Sequence, residues 1–148
     1  MSSGSVPERV VVVGVDGSKP SSGALAWAAS EARLRGASLK VVRAWHVPAF
    51  AYGPYVTPPP PEDFGKNASS QLEEQVKTVL GEDPGLPVLS AVGEGPAAEV
   101  IVAASEGAEM VVVGSRGLGG FSGLLLGSVS TQVVHHAHCP VTVWRDGQ

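Results

Sequence analysis

Cysteine is nearly missing from this chain: Cys139 is the single one in 148 residues. One thiol forms no internal disulfide, so the fold must stand on its own core, and a reducing compartment suits it. Long apolar runs are missing too. None approaches the ~20 residues that a membrane span needs, and the polar stretch from Met1 to Glu8 has no basic-then-apolar signal. Basic clusters are absent: 10 Lys and Arg stand against 14 Asp and Glu, for a formal charge of −4. A surface that neutralises a phosphate backbone needs the opposite balance, so nucleic-acid binding is not expected. Aromatics make up 5%; Trp27, Trp45 and Trp144 read as packing or interface residues rather than a stacking platform. What remains is a chain 43% hydrophobic and 16% charged, outside the disordered class. Its length fits one domain over 1–148, expected in the cytoplasm.

Five stretches read as strands. Val10 to Val15 and Met110 to Val113 are continuously apolar and β-branched, as strands covered on both faces by helices must be. Leu39 to Val47 is less uniform because of Arg43 and His46. Val88 to Val92 is the fourth stretch. Val141 to Trp144 mixes polar and apolar residues, as an edge strand does. Helical spacing fills the gaps. Leu25, Ala28, Ala29 and Ala32 share one face, with Ser18 as N-cap, Pro20 in the first turn and Gly36 at the far end. Leu72, Val76, Val79 and Leu80 mark a second helix before Gly81. Pro96 opens a third, with Gly107 after it, and Ser128 caps a fourth that stops before Pro140. The order β-α-β-α-β-α-β-α-β predicts an α/β fold: a single open, doubly wound, mainly parallel five-stranded sheet with four helices. The proline-rich stretch 48–61, short of backbone donors, is expected as an exposed loop.

Ligands of such sheets sit beyond the carboxyl ends of strands, at the switch point. Two of those ends are chemically unusual. The first is Gly14-Val15-Asp16-Gly17-Ser18. The second, running on from Gly114, holds six glycines between Gly114 and Gly127 before Ser128 opens a helix. Glycines permit close approach to the main chain, successive N–H groups cradle anions, and a helix start favours phosphate. The expectation is a phosphate held by main-chain amides and the hydroxyls of Ser128 and Ser130, with Arg116 as the only cation of the loop. No GxxxxGK[ST], no GxGxxG at the first strand and no GxSxG elbow is present. His135, His136 and His138 beside Cys139 look like metal ligands, but only residues three or four apart share a helix face, and a site needs more donors. They read as solvated helix-end histidines, and Cys139 as a small buried residue.

Gly114, two residues, Gly117, nine residues, Gly127 and Ser128 match the pattern G-x2-G-x9-G-[ST]. With the opening Val11–Ser18 and the closing stretch Gly127 to Val141, the chain resembles the universal stress proteins of the ATP-binding type across nearly its whole length. His138 departs from the proline frequent there. The resemblance implies an adenine-nucleotide alpha-hydrolase-like fold. It implies ATP, with Mg²⁺, in a site where Asp16 meets the ribose or metal and Gly14 and Val15 line the adenosine side. The Ala44 backbone would read the adenine. Gly114, Ser115, Arg116, Gly117, Gly119 and Gly120 would wrap the phosphates, and Gly127, Ser128, Val129 and Ser130 would present the helix start. It also implies a homodimer paired through Val141–Trp144 and an unknown regulatory protein partner. No catalytic residue and no resident protein-held metal is assigned. The leading function is an ATP-binding regulator of a stress response. The alternatives are a slow ATPase or an autophosphorylating enzyme, with Ser122 as acceptor, and a nucleotide-free dimeric interaction protein. With no evident base for water, turnover would be weak at most.

Overall fold

Buried valines dominate the centre of the sheet. A computed structural model describes residues 9–47, 53–116 and 126–146. The first strand, β1 (Val10–Gly14), buries Val11, Val12 and Val13 completely. It lies between β2 (Ser38–Trp45) and β4 (Met110–Gly114), and the order across the sheet is β3-β2-β1-β4-β5, with β3 at Val88–Glu94 and β5 at Val141–Trp144. Every pairing is parallel, so the expected α/β architecture holds throughout, and β5 is an edge strand as its mixed composition implied.

Alternation along the strands sorts the core into two layers. Val11, Val13, Leu39, Val41 and Val112 point to one face. There they meet α1 (Lys19–Arg35), through Ala24, Leu25, Ala28, Ala29 and Ala32, and α2 (Pro61–Leu80), through Leu72. Val12, Val42, Val111 and Val113 point to the other. They meet α3 (Ala97–Ser105), through Ala98 and Ile101, and α4 (Ser128–His136), through Val133. The chain steps from β1 to β2 to β3 in one direction, then crosses back to β4 and β5. Crossovers of a single hand demand that the helices change face when the direction reverses, and they do.

Helix boundaries follow local chemistry. Ser18 caps α1 by accepting the Ser21 N–H at 3.2 Å, and Gly36 closes it in the left-handed region at φ 64°, a conformation glycine adopts without a Cβ penalty. Two expectations are corrected. The fourth helix is capped by Gly127, and Ser128 is its first residue. The proline run is an exposed loop only as far as Pro60; Pro61 opens α2. Its missing N–H costs nothing there, because the first-turn donors of a helix have no internal partner. Residues 48–52 of that loop lie outside the described residues.

An ion-pair network ties the amino ends of the strands. Arg35 contacts Glu31 at 2.9 Å and Glu109 at 3.0 Å, and Arg9 reaches Glu109 at 3.4 Å. The two carboxylates raise the Arg35 pKa above its ordinary value.

Candidate functional site

At the carboxyl ends of β1 and β4 the two neighbouring strands release helices to opposite faces, the switch point where open sheets bind ligands. The register pairs Val13 with Val112. The turn after β1 therefore stands beside Gly114, Ser115 and Arg116.

The turn after β1 is held by a compact set of bonds. Val15 is buried and donates its N–H to the Val42 carbonyl at 3.0 Å, extending the ladder one residue. Asp16 accepts the Ser18 N–H on Oδ1 at 2.9 Å, an Asx turn that mimics a backbone turn. Gly17 sits at φ 86°, and a Cβ there would lie 3.2 Å from Nη1 of Arg43. The Ser21 hydroxyl donates to the Ser18 carbonyl at 2.9 Å, so its lone pairs accept the Asp16 N–H at 3.2 Å and Gln75 Nε2 at 3.0 Å. The same Nε2 also donates to Ser22 Oγ at 3.0 Å, fastening α2 to the start of α1. Gly14 answers to packing: an added Cβ would overlap the Ile101 side chain.

Ala44 has its main-chain groups outside the β2–β3 ladder. Ser38 and Val42 bond toward β1, while Leu39 and Trp45 bond toward β3. The same alternation turns the Ala44 N–H and C=O toward the β1 side. Ala44 lies two residues past Val42, the partner of the last β1 residue, so those groups face the space that Asp16 borders.

On the other side, the glycine-rich segment leaves and returns through one neck. Ser115 is buried, donates its N–H to the Trp144 carbonyl at 2.8 Å, and accepts the Gly127 N–H at 2.6 Å. Ser130 Oγ donates to the Ser115 carbonyl at 3.0 Å and lies 3.1 Å from the Gly127 carbonyl, which also takes the Thr131 hydroxyl at 2.8 Å. The Ser130 proton therefore goes to the main chain, in contrast to the expectation of a donor to phosphate. No side chain caps α4, so the first-turn N–H groups of Ser128, Val129 and Ser130 have no intrahelical acceptor and point outward from the helix start. Ser128 is exposed and Arg116 half-buried. Gly117, Gly119, Gly120 and Ser122 fall outside the described residues.

A groove of about 450 Å³ runs from Asp16 and Gly17 down between α1 and α2, past Arg43, Glu74, Gln75 and Thr78. Sequence reasoning missed Arg43 and Gln75 as neighbours of the turn. A charge inside an otherwise apolar strand was the signal for Arg43; a glutamine in a polar helix carried none. The discounted residues lie elsewhere. His135, His136 and His138 are exposed, with the first two rings 6.3 Å apart. Among the described residues no three His, Cys, Asp or Glu side chains converge as a metal site would require. Burial raises the Cys139 pKa, which keeps the thiol protonated and a poor nucleophile.

Trp144 packs, one of the two roles expected of it. Val141 and Val143 pack on the α3 and α4 side, whereas Trp144 packs on the α1 side, where an added Cβ on Gly23 would overlap its six-membered ring.

Residues 8–145 match the Universal stress protein family. A universal stress protein from Mycolicibacterium smegmatis is 38% identical over 143 residues, which cover 94% of this chain and 49% of that protein. The chain thus spans about half the length of the curated relatives it matches. Among solved structures, a universal stress protein in complex with cAMP aligns with a TM-score of 0.69 at 23% identity, over 92% of this chain and 96% of that one. The universal stress protein from Archaeoglobus fulgidus in complex with dAMP aligns with a TM-score of 0.63 at 24% identity, over 91% and 96%. Among the described residues, no helix is long and apolar enough to cross a membrane.

Proposed function

The chain belongs to the universal stress protein family, and from that premise we propose that it is an ATP-binding regulatory protein whose cleft lies at the carboxyl ends of β1 and β4. The observation that carries this reading is the convergence of main-chain groups there: Ala44 on one flank of the β1 turn and the uncapped start of α4 on the other. A cleft of amides and carbonyls suits a base edge at one end and an anion at the other. Relatives solved with cAMP and dAMP lend support for an adenine nucleotide. Ala44 would meet the base, Gly14, Val15 and Asp16 the ribose side. Gly114, Ser115 and Arg116, with Gly127 to Ser130, would meet the phosphates, and Gly117, Gly119 and Gly120 would complete the wrap. The Asp16 carboxylate borders this space and is the group fit to share a Mg²⁺ with phosphate oxygens. Regulation would follow from linkage, since a ligand shifts the protein toward the state it binds better. The edge strand Val141–Trp144 would pair with that of a second copy, and a further regulatory protein would read the occupied form.

The test is direct. Protein purified without added nucleotide is denatured and the released small molecules are identified. ATP among them supports the reading. ADP alone favours hydrolysis. Nothing released, with no calorimetric binding of ATP, rejects it in favour of a nucleotide-free interaction protein.

Asp16→Asn keeps the oxygen that accepts the Ser18 N–H and removes the charge. Affinity for ATP should fall about tenfold, the worth of one charge-assisted hydrogen bond. Titration calorimetry that finds equal affinity removes Asp16 from the site.

A further inference from the structure

The neck of the glycine-rich segment rests on a residue that lies outside the cleft. Ser115 is the junction: its carbonyl takes Gly127 N–H and Ser130 Oγ, and its N–H goes to the Trp144 carbonyl. Trp144 is the last residue of β5, paired in register with Gly114. Its position depends in turn on where the indole is allowed to sit. The indole lies on Gly23 of α1, and the ring atoms Cη2, Cζ2 and Cζ3 occupy the space that a Cβ there would take. Glycine inside a helix is less favourable than alanine. Gly23 has no positive φ to explain it, so the close approach of the indole is what the glycine permits. The same helix is capped by Ser18, one hydrogen bond from Asp16.

We propose that Trp144 is a positioning residue of the cleft: seated in the notch at Gly23, it sets the height of the β5 end and so of Ser115 and the start of α4, relative to the Asp16 turn. The indole packs against α1. It acts as a spacer between α1, which carries one wall of the cleft, and Ser115, which carries the other. This rests on the ATP-binding reading for its binding readout, but the clamp itself is measurable without ligand.

The experiment compares the full-length wild type with Gly23→Ala, Trp144→Leu and the double variant. ATP affinity is measured by calorimetry and exchange of the Ser115 amide proton by NMR. The methyl group of Gly23→Ala must lift the indole. ATP affinity should drop about tenfold, as overpacking of a close contact does, and Ser115 should exchange faster, while the Val112 amide does not. Trp144→Leu removes the ring that the methyl would strike. The double variant should therefore bind ATP more tightly than Gly23→Ala alone and exchange Ser115 no faster than Trp144→Leu alone does, a coupling between the two residues. Wild-type affinity and exchange in Gly23→Ala overturn the proposal. So does a double variant no better than Gly23→Ala, because the loss would then come from α1 itself. If wild-type protein binds no ATP, the functional reading fails, and the Ser115 exchange rates alone decide the clamp: faster in Gly23→Ala and, in the double variant, no faster than in Trp144→Leu upholds it, unchanged rates reject it.

Discussion

Ser128→Glu should weaken ATP binding about a hundredfold or more while leaving the fold as stable as before, or slightly more so. Ser128 is the exposed first residue of α4. A carboxylate in the first turn interacts favourably with the helix dipole, by about 0.3–1 kcal/mol, so the folded state gains. The same charge stands where an anion would be received. Like charges about 4 Å apart repel by roughly 4 kcal/mol at an effective dielectric of 20, enough for a loss of about a hundredfold or more. Calorimetry with ATP reads the affinity and a thermal melt reads the fold. An affinity within threefold of wild type would put the phosphates somewhere other than the start of α4.

The second large effect is on stability. Leu72 is 1% exposed and, with Ala68, is one of two α2 residues that are buried; Val76, Val79 and Leu80 are only partly so. Leu72→Ala should cost about 2–5 kcal/mol through lost transfer energy and the cavity left behind, and lower the melting temperature by about ten degrees. Because α2 has few other anchors, its amides should lose hydrogen-exchange protection before those of β1 and β4 do. Uniform loss across the sheet would mean that α2 is part of the global folding unit.

Most of the architecture could be read from residue types. The valine runs of β1 and β4, the cap at Ser18 and the glycine at Gly36 are local signals, and local signals survive folding. What escaped was set by distant contacts. Gly127 and not Ser128 caps α4, because Gly127 is pinned by its N–H to Ser115, twelve positions earlier. Ser130 resembles a ligand donor in sequence, but its hydroxyl closes the neck instead. Pro61 was counted with the prolines before it, although proline is favoured at the first position of a helix. Trp144 stood between packing and interface in sequence, and the notch at Gly23 in which it packs is distant along the chain. The candidate cleft was legible as a pair of strand ends. The direction of the Ala44 main-chain groups follows from register, which needs β3 in place on one side and β1 ending early on the other.

The charged cluster of Arg9, Glu31, Arg35 and Glu109 sits at the floor of the sheet, a full strand length from the rim where the loops gather. This separates the parts of the chain by duty. Rim residues can vary without loosening the base. Concentrated electrolyte should soften this floor, since partly exposed ion pairs are screened.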